Sequence, residues 1–364
     1  MKKVLLLSFC LSSLMTIHLN AEEIVSLTED ANLTSELTKP EEIENNDVQF
    51  ALEFGARTNF WEPGLSKKDG QDILEYDTQG LYLGYAVLKT KIYNTDVFTL
   101  EKFSTLKSGD DQKELLSEYK NDKKQESSMD GYKMSIHLMK ILNYWFNSDF
   151  LSGLEYKYKT KNFIGEAKLQ DNALYWFGTS PGFQNIDFFS YDKDSVLVFK
   201  TKFTDHRLVY TWNSSEYGID YTFGAFDSKW SKPTYIGVNT KSGDPIIFPA
   251  NYRVKGLTAG LNMTFDNLVF DIYIDYGIDN KFELTKETNA ENLIPNDMDL
   301  DMYTAGAKID YTIPNIYSNS FLNINFILSG DLYRTYIGAS DGTSTMKLDE
   351  ETLYSVQTAL EFTF

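Results

Sequence analysis

The stretch "YRVKGLTAGLNMTFDNLVFDIYIDYGID" alternates apolar and polar residues with period two for longer than an ordinary globular strand lasts. Its first arm sets Leu257, Ala259, Leu261, Met263 and Phe265 against Thr258, Gly260, Asn262 and Thr264. Asp266-Asn267 supplies the residues of a tight hairpin turn. The second arm sets Leu268, Phe270, Ile272, Ile274, Tyr276 and Ile278 against Val269, Asp271, Tyr273, Asp275, Gly277 and Asp279. The same texture recurs in "DVQFALEFGARTNFW", "EYGIDYTFGAF" and "DMYTAGAKIDYTI". Each segment therefore makes a two-faced strand with one largely apolar face, to be buried against lipid or, in the alternative of a soluble sandwich or secreted barrel, within a protein core.

What precedes and surrounds these strands narrows the class. "MKK" followed by "VLLLSFCLSSLMTI" and "LNA" has the basic, apolar and small-residue parts of an export signal, read as residues 1–21 with cleavage after Ala21. Residues 22–47 are acidic and lack aromatics and read as a flexible periplasmic tail, with a short helix as the alternative. The chain has one cysteine, Cys10, inside the signal, which excludes internal disulfides, thiolate catalysis and Cys-ligated metals. A formal net charge of −19 argues against a nucleic-acid partner. No run beyond the signal is long and apolar enough for a spanning helix, a test that a barrel escapes because it shows lipid only every second residue.

The pattern predicts an all-β fold: a transmembrane antiparallel up-and-down β-barrel over residues 48–364, of about fourteen strands, with 12–16 compatible. Short links are expected at 92–94, 214–215, 266–267 and 314–320, all on the periplasmic side. Long ones are expected outside, at 61–78, 107–129, 227–251, 280–299 and 338–351. The scheme strains between 142 and 193, where two long links fall on the wrong side. The aromatic clusters "NFW" (59–61), "NYWF" (143–146) and "LYWFG" (174–178) suit interfacial girdles or core packing equally.

The final stretch "LYSVQTALEFTF" places Tyr354, Leu360, Phe362 and Phe364 on one face of a strand. It resembles the C-terminal assembly signal of bacterial outer-membrane β-barrel proteins, without the glycine usual upstream; Ser355, Gln357 and Ala359 hold the other face. The resemblance is to the general, porin-like class and carries no subfamily motif. It implies residence in the outer membrane of a Gram-negative bacterium, contact with its lipid, and dealings with periplasmic chaperones and the barrel-assembly machinery. It also implies closure of the last strand against the first, which removes both exposed edges.

Chemistry is sparse. Asp205-His206 is expected at a hairpin tip as turn chemistry, and His137 lies in a strand-like run. No nucleophile constellation or metal cluster is legible, so no enzyme, cofactor or metal is expected. The acidic segments at Asp110-Asp111 and Asp297, Asp299 and Asp301 read as solvated loop charge. With the apolar face outward, the inward set includes Glu53, Arg57, Asp220, Asp271, Asp275, Lys308, Asp310 and Glu361. Six acids against two bases suggest a porin-like channel for passive diffusion of small hydrophilic solutes, with modest cation preference. The alternatives are a closed structural or adhesive barrel held by pairs such as Arg57 with Glu53 and Lys308 with Asp310, or a specific uptake barrel. The same face carries Tyr273 and Phe226, which points to a partly packed lumen.

Overall fold

Twelve long strands follow one another around a single closed circuit. In the computed structural model they are β1 (Val48–Glu62), β2 (Leu81–Ile92), β3 (Thr95–Thr105), β4 (Ser128–Ile136), β5 (Leu154–Leu169) and β6 (Val196–Ser214). They continue as β7 (Ile219–Val238), β8 (Pro245–Phe265), β9 (Leu268–Leu284), β10 (Asp299–Ser318), β11 (Asn323–Ser340) and β12 (Thr345–Thr363). Residues 48–364 are described except 63–66, 69–70, 78–80, 94, 107–127, 177–187, 215–218, 239–241, 285–298 and 341–344. The expected signal (1–21) and tail (22–47) lie outside the described residues, as do Asp110, Asp111 and Asp297.

Every neighbouring pair in the circuit is antiparallel, and β12 closes on β1 with Leu52 facing Phe362, Phe54 facing Leu360 and Phe60 facing Tyr354. Phe364 and Phe50 exchange backbone hydrogen bonds, N–H to O at 2.9 and 3.4 Å. Closure leaves every barrel strand with two hydrogen-bonded neighbours and no free edge.

The alternation sorts side chains as the sequence indicated. Leu208, Phe223, Leu257, Ile274, Tyr303, Ile309, Leu328, Val356 and Leu360 are exposed on the outer face. Their neighbours along the chain, such as Asp275, Thr258, Thr304, Ser329 and Ser355, are buried inside. A water-soluble sheet does the reverse, so this surface needs an apolar surround. In β10 the apolar row from Tyr303 to Ile313 covers about ten residue steps. At roughly 3.3 Å each and a tilt near 40°, that gives a belt about 25 Å tall.

Two merged pairs explain why twelve strands replace fourteen. The sequence pattern reads as separate strands at 151–161 and 162–170 and at 194–203 and 206–213, but each pair forms one strand. Asp205-His206 is therefore mid-strand, not a hairpin tip, and its two side chains lie on opposite faces. The merge also resolves the strain at 142–193, because the link 170–195 now falls at the long-link end. At the other end, the connection between β4 and β5 carries a helix, α1 (Leu138–Phe146), with His137 as its N-cap residue rather than within a strand. Asn147, at φ 51°, ends α1 in the left-handed conformation that asparagine tolerates.

The expected loops 227–251 and 338–351 are mostly strand. β7 and β8 stay paired up to Val238 and Pro245, and β11 and β12 up to Ser340 and Thr345. Both hairpins therefore rise beyond the apolar belt, and Pro233 and Pro249, which lack N–H donors, face one another in register.

Candidate functional site in the barrel interior

All eight residues assigned to the lumen lie on the inward face by register: Glu53 and Arg57 on β1, Asp220 on β7, Asp271 and Asp275 on β9, Lys308 and Asp310 on β10, and Glu361 on β12. The four assembly-signal residues, Tyr354, Leu360, Phe362 and Phe364, lie on the outward side of β12 or at its end. There Phe60 stacks on Tyr354 with ring centroids 4.5 Å apart, and Phe321 meets Phe364 edge-on at 6.0 Å.

The inward charges separate into clusters. Near the short-link end Lys89 Nζ bridges Glu53 at 2.6 Å and Glu361 at 2.5 Å, and Lys91 adds a second contact to Glu361 at 3.2 Å. Higher up, Glu101 takes Arg57 at 2.7 Å and Lys133 at 3.0 Å. Arg57 also lies over the rings of Phe103 (4.4 Å) and Tyr85 (5.6 Å), and Gly55 is what lets Tyr85 lie flat there, since a Cβ would sit 2.6 Å from its ring. The expected Arg57–Glu53 pair thus does not form, while Lys308–Asp310 does. On the facing wall Arg207 clamps Asp275 with two hydrogen bonds of 2.9 and 2.8 Å and holds Asp205 at 2.7 Å. Asp271 accepts from Asn262 at 2.5 Å.

Towards the long-link end the interior changes character. Trp61, Leu81, Leu83, Met129, Phe163, Leu169, Leu197 and Ile247 form a buried apolar cluster. Segments beyond the barrel strands join it. Leu74–Asp77 pairs with the end of β5, bringing Ile73 and Leu74 inside, and Ala173–Trp176 pairs in parallel with Ile246 and Ile247 of β8. A second cluster of Phe226, Trp230, Tyr252, Val254 and Ile337 lies beside it. Between the two, Lys232 on β7, with its side chain 0% exposed, reaches Glu351 on β12 at 2.8 Å. Trp61 Nε1 donates to the other oxygen of the same carboxylate at 3.0 Å. At "NFW" the girdle and core readings each hold for one ring: Phe60 points out and Trp61 points in.

The inward residues missed from the sequence are mainly basic or apolar. Lys89, Lys133, Lys159, Lys161, Arg207 and Lys232 stand at inward positions of β2, β4, β5, β6 and β7. In β2, "LYLGYAVLKTKI" is apolar on both faces, the signature of a strand buried on both sides. Asp205 and His206, on opposite faces, do not form an acid–His pair; His206 Nδ1 meets Tyr156 Oη at 2.8 Å on the outer surface. His137 lies 3.6 Å from Glu155. Among the described residues no group of three or more His, Cys, Asp or Glu could hold a metal ion, and no helix is long and apolar enough to cross a membrane.

No known protein-family model matches the sequence, and neither does any curated protein. Solved structures that resemble the chain include a FadL homologue from Pseudomonas aeruginosa, at 12% identity over 87% of this chain and 89% of that one, with a TM-score of 0.28. Others are the outer membrane protein Omp33 of Acinetobacter baumannii (9% identity, 88% and 100% covered, TM-score 0.27) and the translocator domain of autotransporter NalP from Neisseria meningitidis (9%, 93% and 92%, 0.31). These are bacterial outer-membrane β-barrels. At such scores the likeness is one of general barrel type and says nothing of solute or activity.

Proposed function

We propose that this protein is a channel of a bacterial outer membrane for small hydrophilic solutes, and that its outer half is closed in the state described. The apolar outward belt supports membrane residence, and the charged inner wall supports an aqueous path through part of the barrel. The carrying observation is the Lys232–Glu351 pair, which joins two strands nearly opposite one another within a packed apolar layer. Passage through the barrel requires that layer to move, so conduction is gated rather than freely porin-like.

A cation preference rested on six acids against two bases. The interior adds Lys89, Lys91, Lys133, Lys157, Lys159, Lys161, Arg207 and Lys232 to the bases, and Asp96, Glu101, Glu155, Asp205, Asp331 and Glu351 to the acids. The two signs come near balance, and local clusters take over from net charge in setting selectivity.

The packed layer equally favours a second reading, a closed barrel whose role lies in its exposed outer hairpins. Planar-bilayer conductance of the protein and of a Lys232→Ala variant separates the two. A closed structural barrel stays silent in both.

A further inference from the structure

We infer that the inner wall formed by β4 and β5 holds an anion-binding site, centred on Lys159 and Lys161, that accepts a phosphate group. The two lysines are consecutive inward residues of β5, and each is partly exposed to the interior. Neither makes an ion pair among the described residues. Carboxylates stand at a distance, Glu351 near Lys161 and Asp205 near Lys159, but further cations crowd the same wall. Lys159 stands directly opposite Lys133 in the β4–β5 register, an arrangement of like charges that a strand pair avoids. Burial disfavours both charges; beyond it, Lys133 and Arg57 repel Lys159, and at Lys161 their repulsion offsets the attraction of Glu351.

The nearby acids are already committed. Glu101 is shared by Arg57 and Lys133; Asp205 is held by Arg207 and by Ser228 Oγ; Glu351 is held by Lys232 and Trp61. Arg57 is buried, yet its Nε has no hydrogen-bond partner. Aromatic rings rather than carboxylates line the lysines: Phe203 lies 5.0 Å from Lys161 Nζ and 5.7 Å from Lys159 Nζ, and Trp61 lies 5.7 Å from Lys161 Nζ. Rings tolerate ammonium groups and exclude water, which strengthens the field felt by an incoming anion.

Folding alone has no use for two unpaired lysines beside two more cations. A dianion resolves the conflict, because one phosphate group has oxygens enough to accept from several ammonium groups at once. The protein as a whole is strongly acidic, with a formal net charge of −19, so a cationic patch confined to one inner wall gives local selection against the general field.

The site does not depend on conduction, so equilibrium binding tests it directly. The full chain, refolded in a non-ionic detergent, is titrated with inorganic phosphate at low ionic strength by isothermal titration calorimetry. Saturable binding is expected, weakened about tenfold or more in Lys159→Gln/Lys161→Gln. It should be unchanged in Lys202→Gln, whose lysine is exposed on the outer face of β6. Heat-modifiable electrophoretic mobility verifies that each variant is folded. Absence of saturable phosphate binding in the native protein, or equal binding in the double variant, overturns the proposal.

Discussion

Lys232 Nζ meets Glu351 Oε2 at 2.8 Å, and the two residues belong to β7 and β12, nearly opposite walls of a twelve-strand circuit. A lysine with no exposed side chain needs its partner, because an unpaired charge in such a place is expensive. The pair therefore ties the walls together across the interior, with Trp61 completing the carboxylate's bonding from β1.

Arg207 gives the clearest case for stability. Asp275→Asn breaks a buried two-bond clamp and leaves only Asp205 to balance the guanidinium, so it should lower folding stability by about 3 kcal/mol. Asp310→Asn, whose pair with Lys308 is partly exposed, should cost about 1 kcal/mol or less. Reversible urea unfolding in lipid vesicles measures both.

The outward belt makes a depth-dependent prediction. Ile274→Lys puts a charge on the exposed apolar row of β9 and should cost about 2–4 kcal/mol in a bilayer. Ile278 closes that row; Asp279 and Lys281 follow on the same strand. Ile278→Lys should cost about 1 kcal/mol or less, because it sits at the margin. Equal costs at the two positions, read from the same unfolding experiment, would remove the basis for a membrane belt.

Closure predicts a kinetic effect at the end of the chain. Phe362 meets Phe54 edge-on at 6.2 Å, and Phe364 shares two backbone hydrogen bonds with Phe50. Replacing both Phe362 and Phe364 by alanine should slow folding into vesicles several-fold, whereas Tyr82→Ala, exposed on the outer face of β2, should not. The time course of the heat-modifiable band checks this.

Much of the barrel was legible because the alternation is a direct record of its two faces. All eight lumen residues come from strands with one plainly polar side, such as Asp271 and Asp275 in β9. The interior's closure was harder to read. Leu83 points inward from β2, whose two faces are both apolar, so period two carries no preference there, while Trp61 and Phe163 put an apolar side chain at the end of the otherwise polar inner faces of β1 and β5. Lys232 and Glu351 lie in stretches that look like outer loops, and their meeting depends on separate walls converging, 119 residues apart in sequence. Helix α1 was hidden because "LMKILNYWF" follows β4 without a break signal, and only the left-handed Asn147 marks its end. The merged strands β5 and β6 had polar middles, "KYKTKN" and "FTDHR", that mimic turns.

Single-channel conductance in a planar bilayer under a KCl gradient tests the proposed channel and its closed outer half together. The native protein should remain mostly closed, with brief openings. Lys232→Ala, which removes the side chain crossing the interior while leaving Glu351 its Trp61 donor, should open for long periods. Stable, fully open steps from the native protein would contradict the closed outer half, and silence from both proteins, when both are folded, would contradict the channel.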